Sequence, residues 1–165
     1  MLARFRTALA MVALTGMVFS GAGAFAQDQT PGVTAAANKV TQLLQASGYQ
    51  FATHTPIVWS VTRTGSSLKS FKVVISVSEE LMVIFVTVVP KARMRMTPEF
   101  MQSLLRFNYS LDRVKVAIDD DGDLCVRSDS SVRLADVQEF KVLVEQVAAS
   151  SNEVYEKSNA FIIPN

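Results

Sequence analysis

One segment constrains the fold of this chain more than any other: the run from Leu81 to Val89, in which only Thr87 is polar. Its β-branched and aromatic side chains favour an extended strand. Alternate side chains of a strand point to opposite faces of a sheet, so this strand presents apolar groups on both faces. One face carries Leu81, Val83, Phe85 and Val89, and the other carries Met82, Ile84, Val86 and Val88. Both faces must be covered, and a single layer of helices covers only one of them.

Further strand signals lie on either side of this run. Apolar and polar residues alternate over residues 57–62, and a β-branched run extends over residues 71–78. Polar turn residues separate the three runs, which predicts an antiparallel meander. Later in the chain, residues 114–118 alternate, residues 119–123 form a turn, and residues 124–126 alternate again. This pattern predicts a β-hairpin.

Three amphipathic helices are expected. The first begins at about Ala35 and ends at Ser47-Gly48, because glycine readily adopts the left-handed conformation that closes a helix. Thr97-Pro98 opens the second, with Thr as the cap and Pro in the first turn. The predicted apolar stripe of the second helix consists of Phe100, Met101, Leu104 and Leu105. A capping box at Asp136 opens the third, whose stripe runs over residues 137–154. The predicted order is therefore α-β-β-β-α-β-β-α, which is an α+β fold.

Residues 1–26 do not belong to this fold. Two arginines precede an apolar stretch that ends in small residues at Ala24-Phe25-Ala26, which is the three-part pattern of a secretory signal peptide. The alternative is a membrane anchor, but the apolar run is shorter than the roughly 20 residues that a bilayer span needs. We therefore expect a bacterial periplasmic or secreted protein that does not span the membrane. Residues 27–34 are expected to be a flexible leader, and residues 35–165 its single domain.

The charged residues and the missing motifs exclude several classes of function. The chain has 16 Lys and Arg against 15 Asp and Glu, which argues against nucleic-acid binding through overall charge. It contains no G-x-S-x-G, H-E-x-x-H or C-x-x-C motif, so we expect neither enzymatic activity nor a cofactor. His54 is the only histidine. To act as a catalytic base it would need a nucleophile and a third group beside it, and we interpret it as structural.

An Asp-rich segment and the single cysteine each have two interpretations. The segment Asp119–Asp123 resembles a calcium loop. With Gly122 at the sixth position of an EF-hand loop, however, Ala117 and Ser128 occupy the first and twelfth positions, where acidic ligands are needed. We interpret the segment as a turn and expect no metal. Cys125 has no partner in its own chain, so it is either buried as a small apolar group, or it pairs between subunits or remains a reactive thiol.

Two short segments are candidates for contacts beyond their own element. Lys91, Arg93 and Arg95, which we call the basic tract, precede the second helix and face the positive end of its dipole. The tract is either a solvated linker or a binding site for acidic protein segments or lipid headgroups. The apolar run Phe161–Pro164 is expected to pack back onto the domain, because four exposed apolar residues would promote aggregation.

The order of elements, together with Leu104-Leu105-Arg106-Phe107-Asn108-Tyr109 leading into residues 114–124, resembles the YbjN-like family of bacterial sensory transduction regulators. That family shares the fold of type III secretion chaperones. The resemblance spans residues 36–158, and its motifs are packing and turn signatures without a catalytic residue. It implies an antiparallel sheet with helices packed on one face, an often dimeric assembly and a surface that binds another protein. The signal peptide is a departure, because secretion chaperones act in the cytoplasm.

These observations lead to one principal hypothesis and one alternative. The principal hypothesis is an exported, non-enzymatic module that forms a homodimer and binds a protein or peptide through its sheet face or a strand edge. The residues expected to contact the partner are Met82, Ile84, Val86, Val88, Lys91, Arg93 and Arg95. The alternative is a periplasmic sensing or binding module for a small apolar ligand or lipid, held between the helices and the sheet.

Overall fold

A computed structural model describes residues 30–164 of the chain, so the predicted signal peptide lies outside the described residues. Three helices and a six-stranded antiparallel sheet form the domain. The helices are α1 (Pro31–Ser47), α2 (Pro98–Tyr109) and α3 (Val137–Ser158). The strands are β1 (Phe51–Thr55), β2 (Val58–Arg63), β3 (Phe71–Val77), β4 (Leu81–Val89), β5 (Lys115–Ile118) and β6 (Leu124–Ser131). The predicted α+β class, with the helices on one face of an antiparallel sheet, is confirmed.

The strands are ordered β1-β2-β3-β4-β6-β5 across the sheet, so β4 lies between β3 and β6, and β1 and β5 are the edges. The sequence pattern missed β1, whose central residues Ala52, Thr53 and His54 are exposed. An edge strand pairs on one side only and buries little, so its residues need not alternate between apolar and polar. The element order is therefore α-β-β-β-β-α-β-β-α, with one strand more than predicted.

Helix α1 begins at Pro31, inside the segment that we expected to be a flexible leader. The Thr30 hydroxyl accepts a hydrogen bond from the Val33 amide and donates one to Glu79, in the turn between β3 and β4. A cap, a proline in the first turn and a carboxylate near the helix N-terminus all stabilise this start. The prediction of a flexible segment is therefore wrong from Pro31 onward. The predicted end is confirmed, because Gly48 closes the helix with a φ of 76°.

The core lies between the helices and one face of the sheet. Helix α3 crosses β4 and β6, and α1 packs beside α3 and against β3. Helix α2 lies beside the edge strand β5, where the Asn108 side chain accepts a hydrogen bond from the Val116 amide (2.9 Å). The largest fully buried side chains are Phe100, Phe140, Leu44, Ile75, Met82, Ile84 and Leu124. No helix between residues 30 and 164 is long and apolar enough to cross a membrane.

Candidate protein-interaction site

The two faces of β4 are reversed relative to the sequence prediction. Met82, Ile84, Val86 and Val88, which we expected to contact a partner, are between 0% and 4% exposed. They point to the helix side of the sheet and pack in the core. A face that the helices of the same chain already fill cannot bind another protein. The prediction of these four residues as a binding surface is therefore wrong.

The opposite side of the sheet, which we call the open face, carries Leu81, Val83 and Phe85 of β4. Val89, which we expected on the same face, is 1% exposed and belongs to the core, because the register with β6 shifts between Thr87 and Val89. Leu81 is exposed, and Val83 and Phe85 are half-buried. Across the strands, Val74 lies opposite Phe85. This face also carries four charged residues, as their register positions indicate: Lys72, Lys115, Arg127 and Asp129. The open face therefore combines a partly exposed apolar centre with charged side chains around it.

Asp129 links two cations on the open face. Its carboxylate forms an ion pair with Lys115 and another with Arg127 (2.6 Å). Partial burial acts to raise the pKa of Asp129, but the hydrogen bonds from Lys115 and Arg127 outweigh it and hold the pKa below its usual range. The carboxylate is therefore charged at neutral pH, and two cations share one anion.

His54 and Ser60 meet on the same face, because β1 and β2 are paired. The His54 Nε2 atom lies 2.8 Å from the Ser60 Oγ atom. This contact joins two residues that the sequence did not connect. Ser60 is only 3% exposed, so its hydroxyl is closed to a substrate. The pair fits a structural hydrogen bond rather than a nucleophile and its base.

Cys125 lies on β6, directly opposite Thr87 of β4 and Ala117 of β5. The thiol is free and buried. Burial, followed by the negative charge of Asp119, raises the pKa of Cys125 to about 11. The structure therefore supports the buried, uncharged thiol among the alternatives that the sequence left open.

The Asp-rich segment is a turn stabilised by its own side chains. The Asp119 carboxylate accepts hydrogen bonds from the amides of Asp121 (3.1 Å) and Asp123 (2.8 Å), and Gly122 has a φ of 87°. The Asp123 carboxylate accepts a hydrogen bond from the Lys91 amide (2.8 Å). These contacts give two of the carboxylates a structural role at the end of the hairpin, which agrees with the interpretation as a turn.

The basic tract lies next to the C-terminal segment Asn159–Pro164. Lys91 and Arg93 belong to a short 3-10 helix, and Lys91 and Arg95 are exposed. The Arg95 amide donates to the Phe161 carbonyl (2.9 Å), and the Ile163 amide donates to the Arg93 carbonyl (2.8 Å). The Phe161 ring stacks on Phe100, with 4.5 Å between the ring centroids. The prediction that this apolar run packs back onto the domain is confirmed.

A cavity of about 260 Å³, partly open to solvent, lies between α2 and the end of α3, beside Phe161. Phe100, Leu104, Phe107 and Phe161 form most of its apolar wall, together with Val154. The Lys157 ammonium lies 4.0 Å from the centroid of the Phe107 ring, at one side of the cavity. Phe161 is the residue of the C-terminal segment that lines this space, and its ring leaves the space unfilled.

Helix α2 carries an exposed apolar ridge that the sequence pattern did not predict. Met101, Leu105 and Tyr109 follow one another at intervals of four residues, so they lie on one side of the helix. Leu105 is 69% exposed and Tyr109 is 94% exposed. The buried stripe is instead formed by Phe100, Leu104 and Phe107. The available signal was that the apolar residues of this helix form two stripes, whereas one stripe is enough to pack it onto the domain. We call Met101, Leu105 and Tyr109 the α2 ridge.

Comparisons with known proteins agree with this architecture. A family described as "Putative bacterial sensory transduction regulator" (YbjN) matches residues 36–159. Among solved structures, YbjN from E. coli is similar, with 20% identity, a TM-score of 0.55, and coverage of 77% of this chain and 95% of that chain. A chain of the heterodimeric ExoU–SpcU complex from the type III secretion system of Pseudomonas aeruginosa has 19% identity and a TM-score of 0.52, and the match covers 73% and 97% of the two chains. A chain of the ExsC–ExsE complex has 8% identity and a TM-score of 0.54, with 76% and 95% covered. No curated protein sequence matches significantly.

Proposed function

Because this chain belongs to the YbjN family, we propose that it is an exported, non-enzymatic module that forms a homodimer and binds a protein or peptide partner. The α2 ridge carries the proposal. Monomeric soluble proteins rarely expose contiguous large apolar side chains, and such patches are typical of protein interfaces. Two of the similar folds belong to protein complexes, ExoU–SpcU and ExsC–ExsE, which supports a role in protein binding for this fold as well.

The occupant that best fits the α2 ridge is a second copy of the chain. In a dimer with twofold symmetry, the same surface meets itself. Met101, Leu105 and Tyr109 span about 12 Å along the helix at 1.5 Å per residue, so two antiparallel helices can interleave three side chains each. A second cavity, of about 260 Å³, lies between α2 and the edge strand β5 and is lined by Leu105 and Ile118. It gives the side chains of a second copy a place to insert.

The open face is the surface that we assign to the partner. It lies on the opposite side of the sheet from the helices, and its apolar centre includes Val74, Val83 and Phe85. The family resemblance implies a surface that binds another protein, and this face keeps apolar side chains partly in contact with water. Dimerisation through the α2 ridge leaves the open face accessible, so the two contacts are compatible.

Light scattering on the purified protein tests the dimer. We expect the mass of two chains at micromolar concentration, and a monomer for Leu105→Glu, because two charges would be buried against each other at the twofold axis. Leu134→Glu is the matched control, because Leu134 is an exposed leucine outside the α2 ridge, and this variant should remain a dimer. A wild-type monomer, or equal masses for the two variants, would contradict this part of the proposal.

The partner site has its own test. Chemical cross-linking in the exported fraction should join the wild-type protein to a partner, and Phe85→Lys should abolish that product without changing the dimer mass. Cross-linking that survives Phe85→Lys would place the partner elsewhere.

Export is supported by residues 1–26, whose pattern is that of a cleaved signal peptide. Fractionation of cells that produce the full chain, followed by N-terminal sequencing, tests this part of the proposal. We expect an exported protein that begins at Gln27. A cytoplasmic protein that retains Met1 would exclude export.

A further inference from the structure

We propose that the segment Arg93–Arg95 and the apolar floor beside it form a recognition groove for an extended peptide of the partner, which the chain's own C-terminal segment occupies in this structure. We call this the tail groove, and we call Asn159–Pro164 the tail. The inference rests on the proposed function as a protein- or peptide-binding module, and it names the chemistry of one peptide that such a module would bind.

The main chain of the groove already binds an extended segment. Met94 and Ile162 form an antiparallel β-bridge. On either side of it, the Arg95 amide donates to the Phe161 carbonyl and the Ile163 amide donates to the Arg93 carbonyl. Hydrogen bonds of this kind involve no side chain, so any extended peptide can form them. The tail therefore illustrates how an extended peptide would pair with the segment Arg93–Arg95.

An aromatic residue is the anchor that the groove selects. The Phe161 ring stacks on Phe100 with an angle of 25° between the ring planes, yet Phe161 stays only half-buried. The cavity of about 260 Å³ lies directly against this ring. Because the tail does not fill that space, a peptide with a bulkier aromatic anchor would bury more apolar surface than the tail does.

The charges beside the groove favour an acidic peptide. Among residues 30–164, neither Arg93 nor Arg95 forms an ion pair with a carboxylate. Residues 159–164 of the tail include no acidic residue, and the arginine side chains make one long hydrogen bond to them, of 3.5 Å from Arg93 Nε to the Ile163 carbonyl. Within the basic tract, Lys91 packs across Gly122 in the acidic turn, so Arg93 and Arg95 are the two cations of the tract that face a partner in the groove. In a bound peptide, acidic residues that follow the positions of Ile162 and Ile163 would form ion pairs with Arg93 and Arg95, which residues 159–164 do not provide.

Displacement of the tail breaks a limited set of contacts, because none of residues 159–164 is fully buried. Its attachment to the segment Arg93–Arg95 consists of the bridge, the two main-chain hydrogen bonds and the contact of Arg93. The Phe161 ring adds one aromatic stack, and Phe161 and Ile162 pack against the core while staying half-buried. Segments at the end of a domain with few buried contacts open at low cost in free energy. A tethered tail nevertheless competes at an effective concentration on the order of millimolar, so it would exclude weak or mismatched peptides.

Peptide binding to a shortened chain tests the inference. The variant ends at Ser158, and the probe is a fluorescent synthetic peptide with the sequence of Asn159–Asn165 in which Pro164→Glu and Asn165→Glu add two acidic residues. We expect this peptide to bind the shortened chain at least about tenfold more tightly than the full chain, because the tethered tail no longer competes. Equal affinity for the two chains, or no binding to the shortened chain, would overturn the proposal.

Two further peptides test the aromatic anchor and the acidic residues separately. The same peptide with Phe161→Ala should lose most of its binding. A peptide with Pro164→Lys and Asn165→Lys should bind about fivefold more weakly than the acidic one at low salt, and this difference should shrink at high salt. If all three peptides bind with the same affinity, the groove prefers neither an aromatic anchor nor acidic residues, and the proposal is wrong.

A full-length variant covers the case in which the shortened chain does not fold. Phe161→Ala in the full chain weakens the tail without removing it, and it should strengthen binding of the acidic peptide. Leu134→Ala is the control and should leave peptide binding unchanged, because Leu134 is exposed and distant in sequence from the groove. The dimer mass and the cross-linking of Phe85→Lys are measured separately, so failure here is distinguishable from failure of the proposed function.

Discussion

Alanine substitutions at Ile84 and Phe85 test which face of β4 the helices cover. The two residues are adjacent on one strand and point to opposite faces of the sheet. Ile84 is fully buried in the core beneath the helices. Phe85 is half-buried on the open face, opposite Val74 on β3 and Arg127 on β6.

The expected magnitudes follow from burial rather than from side-chain size. Ile84→Ala removes three carbon atoms from the core, each worth about 0.8 kcal/mol, and leaves a cavity that α3 can fill only by moving. We expect the free energy of unfolding to fall by about 3 kcal/mol. Phe85→Ala removes a larger side chain, but part of that side chain is already in water. The expected loss is therefore about 1 kcal/mol.

Urea unfolding followed by fluorescence measures both losses, because Trp59 is the only tryptophan and is buried. With an m value of about 2 kcal/mol/M, the midpoint should fall by about 1.5 M for Ile84→Ala and by about 0.5 M for Phe85→Ala. All midpoints should be compared at one protein concentration, since the unfolding midpoint of the proposed dimer depends on concentration. A loss for Phe85→Ala as large as that for Ile84→Ala would refute the assignment of the two faces.

Three further predictions concern other parts of the domain. Cys125 should not react with a thiol reagent at about pH 8 until urea unfolds the protein, because it is buried and its pKa is about 11; rapid reaction of the native protein would contradict this. Gly122→Ala should destabilise the protein by about 1–2 kcal/mol in thermal or urea unfolding, since φ is 87° and a Cβ atom would lie 2.7 Å from Lys91 Cδ; unchanged stability would contradict the turn geometry. The pKa of Asp129 is lower in the folded state than its ordinary value of 3.8, so its contribution to stability is complete above that value and is lost as the pH falls through the folded-state pKa. Comparing unfolding of the wild type with Asp129→Asn across this acidic range should show the wild-type advantage disappear, and an advantage that persists would exclude the ion pairs as its source.

The boundaries that sequence predicted well are those set by local chemistry. Gly48 closes α1, Thr97-Pro98 opens α2, and the Asp136 carboxylate accepts a hydrogen bond from the Glu139 amide at the start of α3. The turn at Asp119–Asp123 belongs to the same group. Each of these contacts joins residues within four positions of each other, so a short stretch of sequence is enough to predict it. The start of α1 is the exception, because its stabilisation includes Glu79 from a distant turn.

The candidate site was less predictable, because its contacts join distant residues. The contact between His54 and Ser60 requires β1, an edge strand without a sequence pattern. The sequence of α2 contains two apolar stripes, and it does not show which of them packs against the domain. The α2 ridge could therefore be identified only from the structure. The basic tract contacts the tail only because residues 159–164 fold back onto Arg93 and Arg95, which are distant in sequence.

The sequence by itself determined that β4 is a strand with two apolar faces and that helices could cover only one of them. The tertiary structure alone decided which face that is. Both faces of Leu81–Val89 are nearly equally apolar, so hydrophobicity gives no preference between Ile84 and Phe85. The choice follows from the register of β4 with β3 and β6, which aligns Ile84 with Ile75 and Ser128 on the side where α3 packs. A shift of one residue in that register would exchange the faces, because side chains alternate along a strand.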